Sequence, residues 1–159
     1  MEKTEFKKVI DSQTEQVQIL MPEHINGEKR LFGGKLVEWI DIVAAVVARR
    51  HSNKNVTTII IDNLQFKAAA YVNSTVVLHG KITYVGNTSM EVKVDTFVEK
   101  LNGEKKLINK AYLVMVAMDE KEKPTSVPGL ILETDEERIE WEAGLKRREL
   151  RKQRIIEQF

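Results

Sequence analysis

Between Lys35 and Arg50 the chain reads as a helix with almost no polar face. Leu36, Ile40, Val43 and Val47 recur at helical spacing, and Val37, Trp39, Ile42 and Val46 fill the other sides. A helix that is apolar nearly all round has to be buried. Only Glu38, Asp41 and Ala45 make a narrow sector of polar or small residues. Arg49, Arg50 and His51 end the helix, where its dipole is negative. Four strand-like runs follow, at 56–66, 74–85, 90–99 and 107–118. The third alternates most cleanly, with Met90, Val92, Val94, Thr96 and Val98 facing one way and Glu91, Lys93 and Asp95 the other. Gly86-Asn87 and Asn102-Gly103 are hairpin signals between these runs. An earlier run, Gln16 to Met21, reads as a first strand ending at Pro22. One long buried helix against a curved antiparallel five-stranded sheet is an α+β architecture.

The rest of the chain frames that unit. Residues 1–12 are polar and predict a short helix or arm, and 22–34 form a loop with three glycines. The expected organisation is a domain over 1–119, a linker over 120–133 that holds two prolines, and a charged terminal helix over 134–159. Thr134 with Glu137 three residues on is a capping box. The helix runs from acidic (Asp135, Glu136, Glu137) to basic (Lys146 to Arg154), the order its dipole favours. That basic stretch reads as a solvated face, with Trp141, Leu145, Ile156 and Phe159 packing on a neighbour.

A net charge of +1 excludes a chain that binds nucleic acid or membrane through bulk charge. The absence of cysteine removes disulfides, thiolate catalysis and cysteine metal sites. His24, His51 and His79 lack metal-ligand spacing, so no metal is expected. His51 reads as a helix-end cap rather than a base. Met1 to Lys8 has no apolar core of a leader peptide, and Ile42 to Ala48 is too short to span a bilayer; a cytoplasmic protein is expected.

The stretch from Pro22 to Asp41 offers chemistry to a carbonyl group. Gly33 and Gly34 let a ligand approach the backbone at a helix start, whose free N–H groups and positive dipole end would stabilise an oxyanion. Asn26 can hydrogen-bond beside it, although Asn-Gly is also ordinary turn chemistry. Asp41 is a carboxylate on an apolar helix, costly to bury unless partnered or functional. It can act as base or nucleophile. Thr58 reads equally as a plain strand residue.

Several motifs in order, Pro22-Glu23-His24-Ile25-Asn26, Leu31-Phe32-Gly33-Gly34, Trp39-Ile40-Asp41, Ala48-Arg49-Arg50-His51 and Ile61-Asp62-Asn63-Leu64-Gln65-Phe66, carry a resemblance to a known family. Val56-Thr57-Thr58, Tyr84 to Val92 and Asn109-Lys110-Ala111 extend it. The chain resembles the hotdog-fold acyl-CoA thioesterases, specifically the bacterial single-domain relatives of brain acyl-CoA hydrolase, from about Gln18 to Met118. The resemblance implies the hotdog fold, hydrolysis of fatty acyl-CoA to free acid and CoA, and no cofactor beyond the CoA of the substrate. It implies a homo-oligomer: a dimer with shared active sites, assembled as a trimer of dimers. The roles of the family's asparagine and aspartate, from opposite subunits, fall on Asn26 and Asp41, and a neighbouring threonine on Thr58. Gly33, Gly34 and Phe66 become oxyanion and substrate-binding residues. The phosphates of CoA need cations or backbone N–H groups, which makes Arg50, Lys67, Lys110 and the turn with Gly86, Thr88 and Ser89 CoA-binding candidates. Where many members have Ser-Pro after the strand phenylalanine, this chain has Lys67-Ala68-Ala69. Two competing readings are a non-catalytic acyl-CoA-sensing regulator and a hotdog dehydratase, which would need a histidine and an acid about its channel.

Overall fold

The computed structural model describes residues 2–159. Along the chain lie β1 (Phe6–Lys8), α1 (Val9–Ser12), β2 (Thr14–Ile19), a 3-10 turn (Pro22–His24), α2 (Gly33–Ser52), β3 (Asn55–Phe66), β4 (Thr75–Val85), β5 (Ser89–Glu99), β6 (Lys105–Met118), β7 (Gly129–Ile131) and α3 (Asp135–Glu157). Five strands form one antiparallel sheet in the order β2-β4-β5-β6-β3. The long helix α2 lies on its inner face. Leu36, Ile40, Val43, Ala44 and Val47 pack there against Val76, Leu78, Ile82, Met90, Val92, Val94, Leu113 and Met115, all buried. Each such aliphatic side chain contributes about 1.5–3 kcal/mol by leaving water.

The expected helix and four strands are present; the helix and three of the strands are longer by a residue or two at one or both ends, and the strand expected over 74–85 begins at Thr75. The first strand lies earlier than Gln16–Met21, because Pro22 opens the 3-10 turn and Leu20 leaves the ladder for the core. The arm and the linker each hold a three-residue strand: β1 and β7 pair in parallel. They lie beside the C-terminal end of α2, where buried His51 meets the Pro128 carbonyl through Nε2 at 2.9 Å. His51 therefore ties the linker to the helix end and does not cap its own helix.

α3 lies across the outer face of the sheet. Trp141 packs on Tyr84 with ring centroids 4.4 Å apart. A Cβ at Gly144 would stand 2.8 Å from Tyr84 Cβ, so only glycine admits this close approach. The basic half of α3 is not simply a solvated face, as expected from sequence. Glu91 and Asp62 point outward from β5 and β3, and buried carboxylates need cations. Arg147 binds Glu91 through Nε and Nη2, and Arg151 Nη2 joins at 3.0 Å. Arg151 and Arg154 both reach Asp62 at 3.3 Å. Ile156 and Phe159, expected to pack, are exposed in the single chain.

An apolar surface stays open along the sheet edge. β3 is an edge strand. Ile59 and Ile61 on it, Ile42 on α2 and Phe66 at its end are between 40% and 56% exposed.

Candidate active site

The 3-10 turn and a tight loop deliver the chain to the start of α2. Asn26 Oδ1 accepts from the backbone N–H groups of Glu28 and Arg30 at 2.9 and 3.2 Å. Two N–H donors on one atom identify it as the carbonyl oxygen. The turn reading of Asn26 is thus correct, and it leaves Nδ2 as the group that can donate to a ligand. His24 is also fixed: its Nδ1 accepts from Met21 N–H at 3.0 Å, and its ring meets Trp39 edge-on at 5.0 Å. His24 Nε2 faces Glu23 Oε1 at 3.5 Å, and neither residue lines the cavity beside the helix start, so the dehydratase reading has no histidine–acid pair in that cavity.

α2 begins without a side-chain cap, because its N-cap residue is Phe32. The first N–H groups, those of Gly33 and Gly34, therefore remain available. Two aromatic rings flank the glycines. A Cβ at Gly33 would be 3.5 Å from the Phe66 ring, and one at Gly34 would be 2.7 Å from the Phe32 ring. A side chain at Gly34 would displace Phe32. Beside this helix start lies a cavity of about 330 Å³ lined by Asn26, Arg30, Leu31, Leu36, Phe66, Lys67, Ala68, Ala69, Ala70 and Ile108. The Lys67-Ala68-Ala69 departure is one wall of it.

Asp41 stands eight residues further along α2, about 12 Å at the helical rise. Thr58 Oγ1 on β3 donates to its Oδ1 at 2.7 Å. Asp41 is half-buried and, among the described residues, has no cation within ion-pair distance. Thr58 reaches it because β3 carries two register shifts, between Thr58 and Ile60 and between Asp62 and Gln65. They keep Thr58 and Phe66 on the inner face and turn Asp62 out toward α3.

The other candidates lie apart from this pair of groups. Arg50 is at the far end of α2, where Nη1 donates to Gln13 O and Thr14 Oγ1 at 3.1 and 3.0 Å. Gly86, Thr88 and Ser89 form the β4–β5 turn, whose Gly86 and Asn87 carbonyls accept from Lys3 Nζ at 2.9 and 3.1 Å. Lys110 pairs in register with Gln65 and Asp95 on the outer face, with Nζ 5.7 Å from the Tyr112 ring centroid. One chain therefore joins Asn26, Gly33, Gly34 and Phe66 at one place and Asp41 with Thr58 at another. Sequence reasoning did not single out Arg30 or Phe32; the cavity and the glycine contacts reveal them. Among the described residues no cluster of three or more metal-ligating side chains occurs, and no helix is long and apolar enough to cross a membrane.

The chain is similar to several known proteins. A family model described as the thioesterase superfamily matches residues 28–104. An uncharacterised acyl-CoA thioester hydrolase of Bacillus subtilis, YkhA, is 34% identical over 155 residues, 97% of this chain and 90% of the relative. A solved hexameric acyl-CoA thioesterase is 38% identical, with a TM-score of 0.91 over 95% of this chain and 97% of the other. An acyl-CoA hydrolase of Staphylococcus aureus, solved with butyryl-CoA, CoA and CoA disulfide, is 30% identical, with a TM-score of 0.91 over 96% and 94%. That enzyme is also solved with an aspartate, a threonine and an asparagine each replaced by alanine, at TM-scores of 0.92, 0.91 and 0.94. Those three residues are spaced in its sequence as Asp41, Thr58 and Asn26 are in this one.

Proposed function

Because the chain belongs to the thioesterase superfamily, as a hotdog-fold acyl-CoA thioester hydrolase, we propose that it hydrolyses fatty acyl-CoA to free acid and CoA with Asp41 as the central group. The observation that carries this reading is the half-buried Asp41 carboxylate, aligned by Thr58 at 2.7 Å and, among the described residues, without a cation within ion-pair distance. A carboxylate held in a fixed geometry by one hydroxyl, with an oxygen left unengaged, is placed to act on a bound group.

The thioester carbonyl lies over the start of α2. Its oxygen takes the N–H groups of Gly33 and Gly34, which stabilise the charge that develops during attack. Asp41 removes a proton from water as the water oxygen bonds to the carbonyl carbon. The tetrahedral intermediate collapses, the carbon–sulfur bond breaks, and the proton returns from Asp41 to the departing CoA sulfur. In the nucleophile version Asp41 attacks directly, and water then opens the mixed anhydride. Asn26 Nδ2 orients the water or the carbonyl. Thr58 holds Oδ1 of Asp41 and leaves Oδ2 for the reaction. No cofactor is required, since the thioester is already activated for acyl transfer.

The two half-sites belong to different subunits in this reading. An exposed apolar edge strand is a template for a second strand. Antiparallel pairing of β3 with its copy about Asp62, midway between Thr58 and Phe66, sets the Phe66 end of one chain against the Thr58 end of the other. Asn26 of the partner subunit then completes the site around Asp41. Three such dimers make the hexamer that a similar enzyme forms.

Release of free thiol from acetyl- to palmitoyl-CoA, by the wild type and by Asp41→Ala, tests the reading. Turnover that falls by about 10²–10⁴-fold in the variant, with assembly unchanged, is expected. Tight acyl-CoA binding without turnover in the wild type would instead favour the sensor. Oxygen-18 from water appearing in Asp41 after a single turnover identifies the nucleophile version with water attacking the aspartyl carbon; where no label appears, capture of an acyl-Asp41 anhydride by hydroxylamine separates attack at the acyl carbon from the base.

A further inference from the structure

One row of side chains crosses the sheet at the level of the helix start. Phe66 on β3 pairs in register with Asn109 on β6, and Asn109 with Thr96 on β5. Register partners in an antiparallel pair place their side chains on the same face. Phe66 lines the cavity beside Gly33. Asn109 and Thr96 are the next two members of the row, one and two strand spacings further in, about 4.8 and 9.6 Å. Both are 0% exposed. Among the described residues, Asn109 Oδ1, Asn109 Nδ2 and Thr96 Oγ1 all lack a hydrogen-bond partner. Three such atoms at facing positions in an otherwise aliphatic core are unusual, because each carries an uncompensated desolvation cost. Leu78, the register partner of Thr96 on β4, and Ile108, the residue before Asn109, are aliphatic and offer them nothing. The cavity, by contrast, opens at Phe66 and includes Ile108, the residue before Asn109.

We propose that Asn109 and Thr96 form a polar inner wall of the acyl cavity and select acyl chains that carry a hydroxyl or keto oxygen. The proposal rests on the thioesterase reading and deepens it. With the thioester carbonyl over Gly33, the acyl chain runs inward past Phe66. An oxygen several carbons along it reaches the Asn109 amide first and the Thr96 hydroxyl next. The amide supplies both a donor and an acceptor, so a hydroxyl or a ketone is satisfied. A plain alkyl chain would leave all three atoms unpaired, and a site built to hydrogen-bond discriminates strongly against the analogue without the group.

The test compares hexanoyl-CoA with its analogues hydroxylated at carbons three to six. Wild type, Thr96→Val and Asn109→Leu are assayed for thiol release, with dissociation constants measured by calorimetry on the same esters. One hydroxylated isomer is expected to exceed hexanoyl-CoA in kcat/KM by roughly tenfold to a hundredfold in the wild type. Each variant should lose that preference, read as the ratio of kcat/KM between the hydroxylated ester and hexanoyl-CoA. Both replacements keep the branching of the side chain while removing the unpaired polar atoms, and the melting temperature of each variant is measured alongside. Equal kcat/KM for all esters in the wild type overturns the proposal. So does a preference unchanged in both variants, or a change in stability alone, which would assign the pair to a buried water. Absence of thiol release from every ester defeats the thioesterase reading, and the ratio of dissociation constants still decides the role of the pair.

Discussion

Asn26 and His51 show how much a single side chain's role depends on which of its atoms are already engaged. Asn26 uses its oxygen to close the loop before α2, so its contribution to a ligand is as a donor. His51 uses Nε2 on the Pro128 carbonyl, which requires a proton there and leaves Nδ1 a bare lone pair in the core. Burial opposes a second proton and holds the imidazole pKa below its ordinary 6.5. The unfolded chain therefore binds a proton at a pH where the folded chain does not, and stability rises with pH across that interval. The stability His51 contributes is complete above the unfolded value and is lost as pH falls toward the folded one. Urea midpoints should decline between about pH 7 and 5, and His51→Gln should decline less over the same range. Parallel declines in the two proteins would remove His51 from the account.

At the scale of elements, α3 and β3 depend on one another through the outer face. Glu91 is 2% exposed and receives Arg147, Arg151 and Thr83. Removal of one partner from such a buried cluster leaves the others uncompensated, so Glu91→Ala should cost about 3–5 kcal/mol in urea unfolding. Asp135→Ala, which breaks the exposed Arg138 pair at the start of α3, should leave the midpoint unchanged. Equal effects would mean that α3 is held by its apolar contacts alone. α2 and the four long strands were legible in the sequence because each runs long enough to display its period. Asp41 was legible as the rare carboxylate on an apolar helix. β1 and β7 were not, since three residues carry no readable alternation. The inward turn of Arg147, Arg151 and Arg154 was hidden among other cations, although their spacing of four and three marks one helix face. Thr96 and Asn109 read as ordinary strand residues, because only the register sets them side by side.

The whole molecule is where the two half-sites have to meet. Within one chain Asn26 lines the cavity at the start of α2, while Asp41 sits two turns further along with Thr58. The open apolar surface of Ile42, Ile59 and Ile61 lies between them on the sheet edge. A two-fold axis through that surface makes the interface isologous, so each dimer holds two sites and each site draws on both subunits. Such sharing has a consequence that no single-chain site can imitate. Asn26→Ala and Asp41→Ala should each be inactive alone. Unfolded together in equal amounts and refolded, they assort at random, and about half of the dimers are mixed. In a mixed dimer one site carries both replacements and the other carries neither. Recovery of about a quarter of the wild-type thiol release is therefore expected after co-refolding, and none after mixing folded proteins whose subunits do not exchange. If co-refolded material stays inactive while its dimers are mixed by mass spectrometry, Asn26 and Asp41 act within one chain. α2 would then have to bend to close the distance of about 12 Å that separates its start from Asp41.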